Sequence, residues 1–180
     1  MNSPPQPAAV LRAGALAGVA FEADDGAIAS RLSELGATRG AGALIHRATT
    51  TTDPQQALDD AWDAIRAHAL PPEHTHRLIV LIAPPPGDPH AHATRAGLEN
   101  LARTLSIEWA RHHTRPVAIL PGTQTTDDEL AELVAFLASP AGAYYSGCAF
   151  TLRSPMGPRP SPPSASPAPP RTPPAPSPSG

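Results

Sequence analysis

Residues 95–120 read RAGLENLARTLSIEWARHHTRPVAIL, and two periodicities meet inside this one stretch. Leu98, Leu101, Leu105 and Trp109 recur at helical spacing, whereas Val117, Ala118, Ile119 and Leu120 run on without a polar interruption. A helical stripe followed by a short continuous apolar run is the pattern of a helix packed on a strand whose two faces are both covered. Working outward, the same alternation repeats. Strands are expected at Gly18–Ala23, Ala43–Ala48, Leu78–Ala83, Pro116–Leu120 and Cys148–Leu152. The first helix presents Ile28, Leu32 and Leu35 and is stopped by Gly36. The second takes Asp53 as N-cap and Pro54 at its first helical position, with Gln56 closing a capping box and Leu58, Trp62, Ile65 and Ala69 as the buried stripe. The third begins near Asp88-Pro89 and runs to about His113; the fourth opens on Thr126, with Glu129 three residues on, and presents Leu130, Leu133, Val134 and Leu137. Strands joined by right-handed helical crossovers give a parallel sheet with helices on both faces, a three-layer Rossmann-like α/β sandwich of about five strands.

Composition sets the limits of that domain. The chain has 180 residues, 41% hydrophobic and 25 of them proline, and twelve prolines fall between Pro155 and Pro178. Residues 154–180 therefore read as a disordered Pro/Ser-rich tail, with too little apolar surface to offset the entropy of ordering. PxxP matches within it arise by chance in so simple a composition. Residues 1–14, with Pro4, Pro5 and Pro7, read as a flexible N-terminus, which leaves 15–153 as the folded unit. Every basic residue is arginine, so no P-loop lysine, Schiff-base lysine or lysine-assisted proton relay exists in this subunit. A net charge of −3 with dispersed arginines offers nucleic acid no basic face. The lone Cys148 forms no internal disulfide. The apolar stretch from Ala8 to Phe21 is broken by Arg12 and lacks a preceding positive charge, and no run approaches the roughly 18 apolar residues of a membrane span. A cytoplasmic protein without membrane contact is the expectation.

Three segments carry a family likeness: RAGLENLARTLSIEWARHH, RPVAILPGTQTT and DELAELVAFLASPAGAYYSGCAF. They resemble the C-terminal half of the short-chain dehydrogenase/reductase family, NAD(P)-binding proteins of Rossmann-like fold. Pro121-Gly122 with Thr126 matches that family's PGxxxT turn, and Leu133 to Pro140 with Tyr145, Ser146 and Gly147 matches its last helix and the entry to the final strand. Upstream, AIASRLSELGA is similar to the family's first helix and GALIHRA to its fourth strand. On that alignment the second and third strands are missing. The resemblance thus implies a sheet shortened in its N-terminal half, in family order 1-4-5-6-7, without the edge that holds the adenosine half of the cofactor.

The functional motifs of the family are replaced. Its glycine-rich TGxxxGxG falls on Ala20-Phe21-Glu22-Ala23-Asp24-Asp25-Gly26, which puts three carboxylates where a pyrophosphate would bind. Each like-charge contact at about 4 Å would cost on the order of 1–4 kcal/mol. The NNAG motif becomes His46-Arg47-Ala48-Thr49, the catalytic serine falls at Ala83-Pro84, and YxxxK falls on Ala91 to Arg95. Pro84, Ala91 and Arg95 are thus degenerate catalytic positions. Alanine offers no proton, and arginine does not titrate near neutral pH. Tyr144 and Tyr145, the only tyrosines, lie in another segment.

These replacements point to a non-catalytic member of the family, a pseudoenzyme acting as an assembly or regulatory partner, with no cofactor and no metal expected. The alternative left open is an active NAD(P)-dependent oxidoreductase with a divergent site, in which Asp25, Arg95 and Thr126 hold the cofactor and His92, paired with Asp88 or Asp25, supplies the acid. A metal-sensing role would rest on the histidines alone. His74 and His76 lie about 20 Å from His90 and His92 across one strand, too far to share an ion, although His112 and His113 belong to the same end as the first pair. The rim where the strands end also gathers Asp24, Thr49 to Asp53, Pro84 to Asp88 and Thr123 to Thr126, and Asp53, Asp88 and Thr126 are each explained as helix caps. The resemblance implies pairing through the third helix, as a homodimer or with a catalytic relative. Ala93, Gly97, Asn100, Thr104, Ile107 and Arg111 form a stripe of mostly small residues on the side away from Leu98, Leu101 and Leu105.

Overall fold

The computed structural model describes residues 14, 16–48, 53–69, 77–87 and 89–152. The proline-rich tail, most of the N-terminal segment, Thr49–Thr52, His74, His76 and Asp88 lie outside the described residues. Within them, strands β1 (Ala20–Ala23), β2 (Thr38–Arg39), β3 (Ala43–Arg47), β4 (Arg77–Ile82), β5 (Thr114–Leu120) and β6 (Ala149–Thr151) form one sheet in the order β2-β1-β3-β4-β5-β6, every pair parallel. The helices are α1 (Gly26–Glu34), α2 (Pro54–Ala69), α3 (Ala91–Glu108) and α4 (Asp127–Ala138).

Strand β4 shows why the apolar runs are continuous. Leu78, Val80 and Ile82 project into one core with Phe21, Ile45, Val117 and Ile119, under α1 and α4. Ile79 and Leu81 project oppositely into a second core with Leu44 and Ala118, under α2 and α3. A strand with a helical layer on each face has no solvent side on which to place polar residues.

The helices depart from the expected stripes in instructive ways. On α2 the residues turned fully inward are Ala57, Ala61, Ile65 and His68: Ile65 is buried as expected, whereas Ala57 and Ala61 take the places expected of Leu58 and Trp62. The two small alanines let α2 lie close on the sheet, while Leu58 and Trp62 turn toward α3, where Trp62 meets Trp109 at 6.1 Å between ring centroids. Ala69's side chain lies outside the described residues. Asp53 caps α2 as expected, accepting from the N–H groups of Gln55 and Gln56, but Gln56 donates to Asp60 instead of closing a box. Helix α3 starts at Ala91, with His90 in the cap position, and ends at Glu108; a tight 3-10 turn over Ala110–His112 comes next, and His113 closes it in the left-handed region at φ 55°. The capping box of Thr126 and Glu129 on α4 is present in full.

Strand β2 is a correction to the five-strand expectation. The N-terminal edge is not bare: Thr38 and Arg39 pair with Ala20 and Phe21, and Arg39 lies over the Phe21 ring at 5.7 Å. The strand ends after two residues because the chain must cross to the far side of β1. Arg39 and Ala43 are both partners of Phe21, on opposite sides of β1, and the crossing runs through Gly40, Ala41 and Gly42. The Gly40 N–H donates to Phe21 O at 2.9 Å, and Gly40 adopts φ 150°. A Cβ on Gly42 would stand 2.5 Å from Ala20 O. Only glycine permits that approach, because the obstacle is backbone and has no rotamer to yield.

Gly97, by contrast, faces a flexible obstacle, the methyl groups of Leu58 at 2.8 and 2.9 Å from an added Cβ. Gly42→Ala is therefore expected to destabilise the fold by about 1–3 kcal/mol and Gly97→Ala by less. Equilibrium urea unfolding of both variants checks the ranking.

Candidate functional site

The C-terminal ends of the strands form the rim on which ligands sit in doubly wound sheets. In this chain that rim is built around one guanidinium. Arg47, the last residue of β3, reaches back across the end of β1, and its Nη1 donates to Asp25 Oδ2 at 2.6 Å and to Asp127 Oδ1 at 2.9 Å. Asp25 is the N-cap of α1, and its Oδ1 accepts from the N–H groups of Ala27 and Ile28 at 2.9 and 3.1 Å. Asp127 opens the first turn of α4. One cation thus ties two helix N-termini, each carrying its own carboxylate. The neighbouring Asp24 accepts from the Arg47 backbone N–H and approaches His46 Nδ1 at 3.1 Å, so β1 and β3 are also fastened at their ends.

The electrostatics derive from this geometry. Burial by itself would raise the Asp25 pKa, but the Ile28 N–H, the Arg47 hydrogen bond and charge, and the Ala27 N–H together outweigh it and hold the carboxyl below its usual range. For Arg47 the desolvation that favours the neutral form is outweighed by hydrogen bonds to Asp25 and Asp127 and by their charges, so its pKa is raised. The sequence expectation of three carboxylates at the pyrophosphate position is corrected in two respects. Glu22 points to the other face, its Oε2 3.4 Å from Nδ1 of the buried His68 on α2, and Asp24 is turned toward β3. Only Asp25 stands at the α1 terminus, and Arg47 offsets its charge. The obstacle to a phosphate is occupancy more than repulsion, since the N–H donors of Ala27 and Ile28 already serve a carboxylate of the same chain.

The positions that the sequence resemblance marks as degenerate catalytic ones lie on the other side of the rim. Pro84 comes shortly after β4 and is buried, as is Ala91 at the start of α3. Arg95, one turn along α3, donates from Nη1 to the carbonyls of Pro84 and Pro121, each at 2.8 Å. It clamps the ends of β4 and β5 together. Thr126 accepts from the Glu129 N–H and is held by the Glu129 carboxylate. Asp25, Arg95 and Thr126, the residues expected from sequence to meet a cofactor, are thus each engaged in the protein's own frame. His92 is exposed and makes neither a hydrogen bond nor an ion pair with Asp25. Tyr145 is packed between Phe136 and Phe150, at 5.8 and 5.3 Å between centroids, and Tyr144 is 92% exposed. No group of three or more His, Cys, Asp or Glu side chains suited to a metal ion occurs among the described residues. Among the same residues no helix is long and apolar enough to cross a membrane.

Neither a protein-family model nor a curated protein matches the sequence. The fold has clear counterparts among solved structures, which share its Rossmann-like α/β sandwich. A citronellol catabolism dehydrogenase from Pseudomonas aeruginosa PAO1 superposes with a TM-score of 0.64 over 81% of this chain and 98% of its own, at 17% identity. A 3-ketoacyl-(acyl-carrier-protein) reductase from Brucella melitensis, complexed with NADH, gives 0.57 over 77% and 98%, also at 17% identity. Acetoin dehydrogenase from Enterobacter cloacae gives 0.56 over 75% and 94%, again at 17%. At this identity the likeness is one of fold.

The sign of the pH effect at Asp25 is fixed by its lowered pKa. Its contribution to stability is fully present above the unfolded carboxylate value of about 3.9 and is lost as pH falls through the lower folded value. Arg47→Gln should therefore cost about 1 kcal/mol at neutral pH, the pair being partly exposed, and the gap from the parent should close on acidification below about pH 4. Urea unfolding at a series of pH values reads both effects.

Proposed function

We propose that this chain is a non-catalytic domain of short-chain-dehydrogenase type that acts as an assembly or regulatory partner, its natural counterpart being a catalytic relative or a second copy of itself. The observation that carries the reading is the Asp25–Arg47–Asp127 bridge. In a nucleotide-binding protein of this architecture the terminus of the first helix offers its N–H groups to a pyrophosphate. Here those donors hold Asp25, and the nearest cation is held by two carboxylates. The residues present do not fit NAD(P) at that position, and no step through a cofactor is derived. Carbonyl reduction also needs an acid for the developing alkoxide. Ala91 stands at the acid position, and the Nη1 of Arg95 spans two carbonyls, where it supports backbone. Isothermal calorimetry with NADH and NADPH at millimolar concentration should give no saturable heat. Saturable binding abolished by Arg95→Ala would overturn the reading in favour of an NAD(P)-dependent oxidoreductase with a divergent site.

The surface for such a partnership is the outer side of α2 and α3. Ala93, Asn100 and Thr104 are exposed on α3, as is Arg111 in the turn that follows it, and Ile107 is 74% exposed and Trp62 39%. Gly97 leaves the expected stripe, because it packs on Leu58 within the same chain. Its lack of a side chain serves the contact between α2 and α3, so the association surface starts from their joint outer face. Ile107→Asp, at an exposed site that tolerates charge in the monomer, should convert the assembly to monomers in sedimentation velocity. An unchanged sedimentation coefficient would place the interface elsewhere.

A further inference from the structure

At the end of the sheet opposite the Arg47 rim, where the strands begin, the molecule has a concavity. Its volume is about 230 Å³, and its lining includes Ala20, Gly42, Ala43, Leu78, Ala138 and Arg115. The space is well above the roughly 10–15 Å³ that admits one water, so a ligand of several non-hydrogen atoms fits. All but one of these residues present aliphatic carbon or bare backbone, and the exception presents a guanidinium.

Arg115 differs from four other arginines of the fold. Arg31, Arg47, Arg66 and Arg103 each have a carboxylate partner, whereas Arg115 donates from Nη1 to one backbone carbonyl, Gly142 O at 2.8 Å, and forms no ion pair among the described residues. It is half-buried, and burial pushes its pKa below the usual arginine value with no acid to offset the desolvation. A partly buried charge without a counter-charge is a cost that a bound anion relieves. Its planar fork matches a carboxylate in a two-point arrangement.

We propose that this concavity is a binding site for a small aliphatic monocarboxylate, with the carboxylate on Arg115 and the alkyl group against Ala20, Ala43, Leu78 and Ala138. The position of α4 selects against a dianion. Ala138 is the last residue of α4, so the negative end of that helix borders the site and disfavours phosphate more than a singly charged carboxylate. The site uses no residue of the Arg47 rim, and it stands or falls independently of the proposed loss of catalysis.

The test is a titration of the full chain, labelled with 15N-arginine, with sodium isobutyrate at constant ionic strength, followed at the Arg115 Nε–H resonance. A saturable shift with a Kd of about 1 mM is expected, with inorganic phosphate at least about tenfold weaker. Arg115→Gln should weaken isobutyrate binding by about tenfold or more, read by calorimetry. Because that change also removes the bond to Gly142, Ala138→Leu provides a second arm: it fills the concavity, keeps the guanidinium, and should weaken binding by a similar factor. A non-saturating response, equal affinity for phosphate, or undiminished binding in Ala138→Leu would each overturn the assignment.

Discussion

The C-terminal rim depends on one electrostatic fact, the placement of Arg47 between Asp25 and Asp127. Without that cation, Asp25 and Asp127 would direct carboxylates from the starts of two helices into the same small space. With it, the ends of β1 and β3 and the starts of α1 and α4 become one connected unit. A helix terminus that binds anions from solution offers its N–H groups to them, and at α1 two of those groups donate to Asp25. On the opposite side, Arg95 commits a guanidinium to two main-chain carbonyls at adjacent strand ends.

Much of the architecture is legible in the sequence, and the reasons differ by element. Strands β3, β4 and β5 announce themselves because two-sided burial forces unbroken apolar runs. The cap of α4 is legible because its signal, Thr126 with Glu129, is complete within one turn. The first two turns of the α2 stripe sit one position from the expected ones because alanine carries little hydrophobic signal, so Leu58 and Trp62 outweigh Ala57 and Ala61. Strand β2 is hidden because two residues carry no periodicity at all; its trace lies instead in the glycines of the TRGAGA stretch, whose meaning depends on Ala20 lying beneath them.

The candidate site is less legible for a related reason. The resemblance locates Pro84, Ala91 and Arg95 as positions, but the partners of Arg95 are backbone atoms 11 and 26 residues away, just beyond the ends of separate strands. Arg47 joins groups separated by 22 and 80 residues, and only the folded topology brings them together. Sequence reading therefore identifies which residues stand at these positions, whereas the structure identifies what they hold.

The glycine crossing at Ala20 has a further effect at the margins of the sheet. By turning the chain back after Arg39, it makes β2 only two residues long, and at the other margin β6 is only three. A free strand edge is a template on which another chain can add a strand, and its hazard grows with length. Here the two outermost strands are the shortest, and β2 also carries an exposed arginine. The longest and most apolar strand segments are confined to the interior, so contact between sheets of separate molecules is disfavoured at both ends.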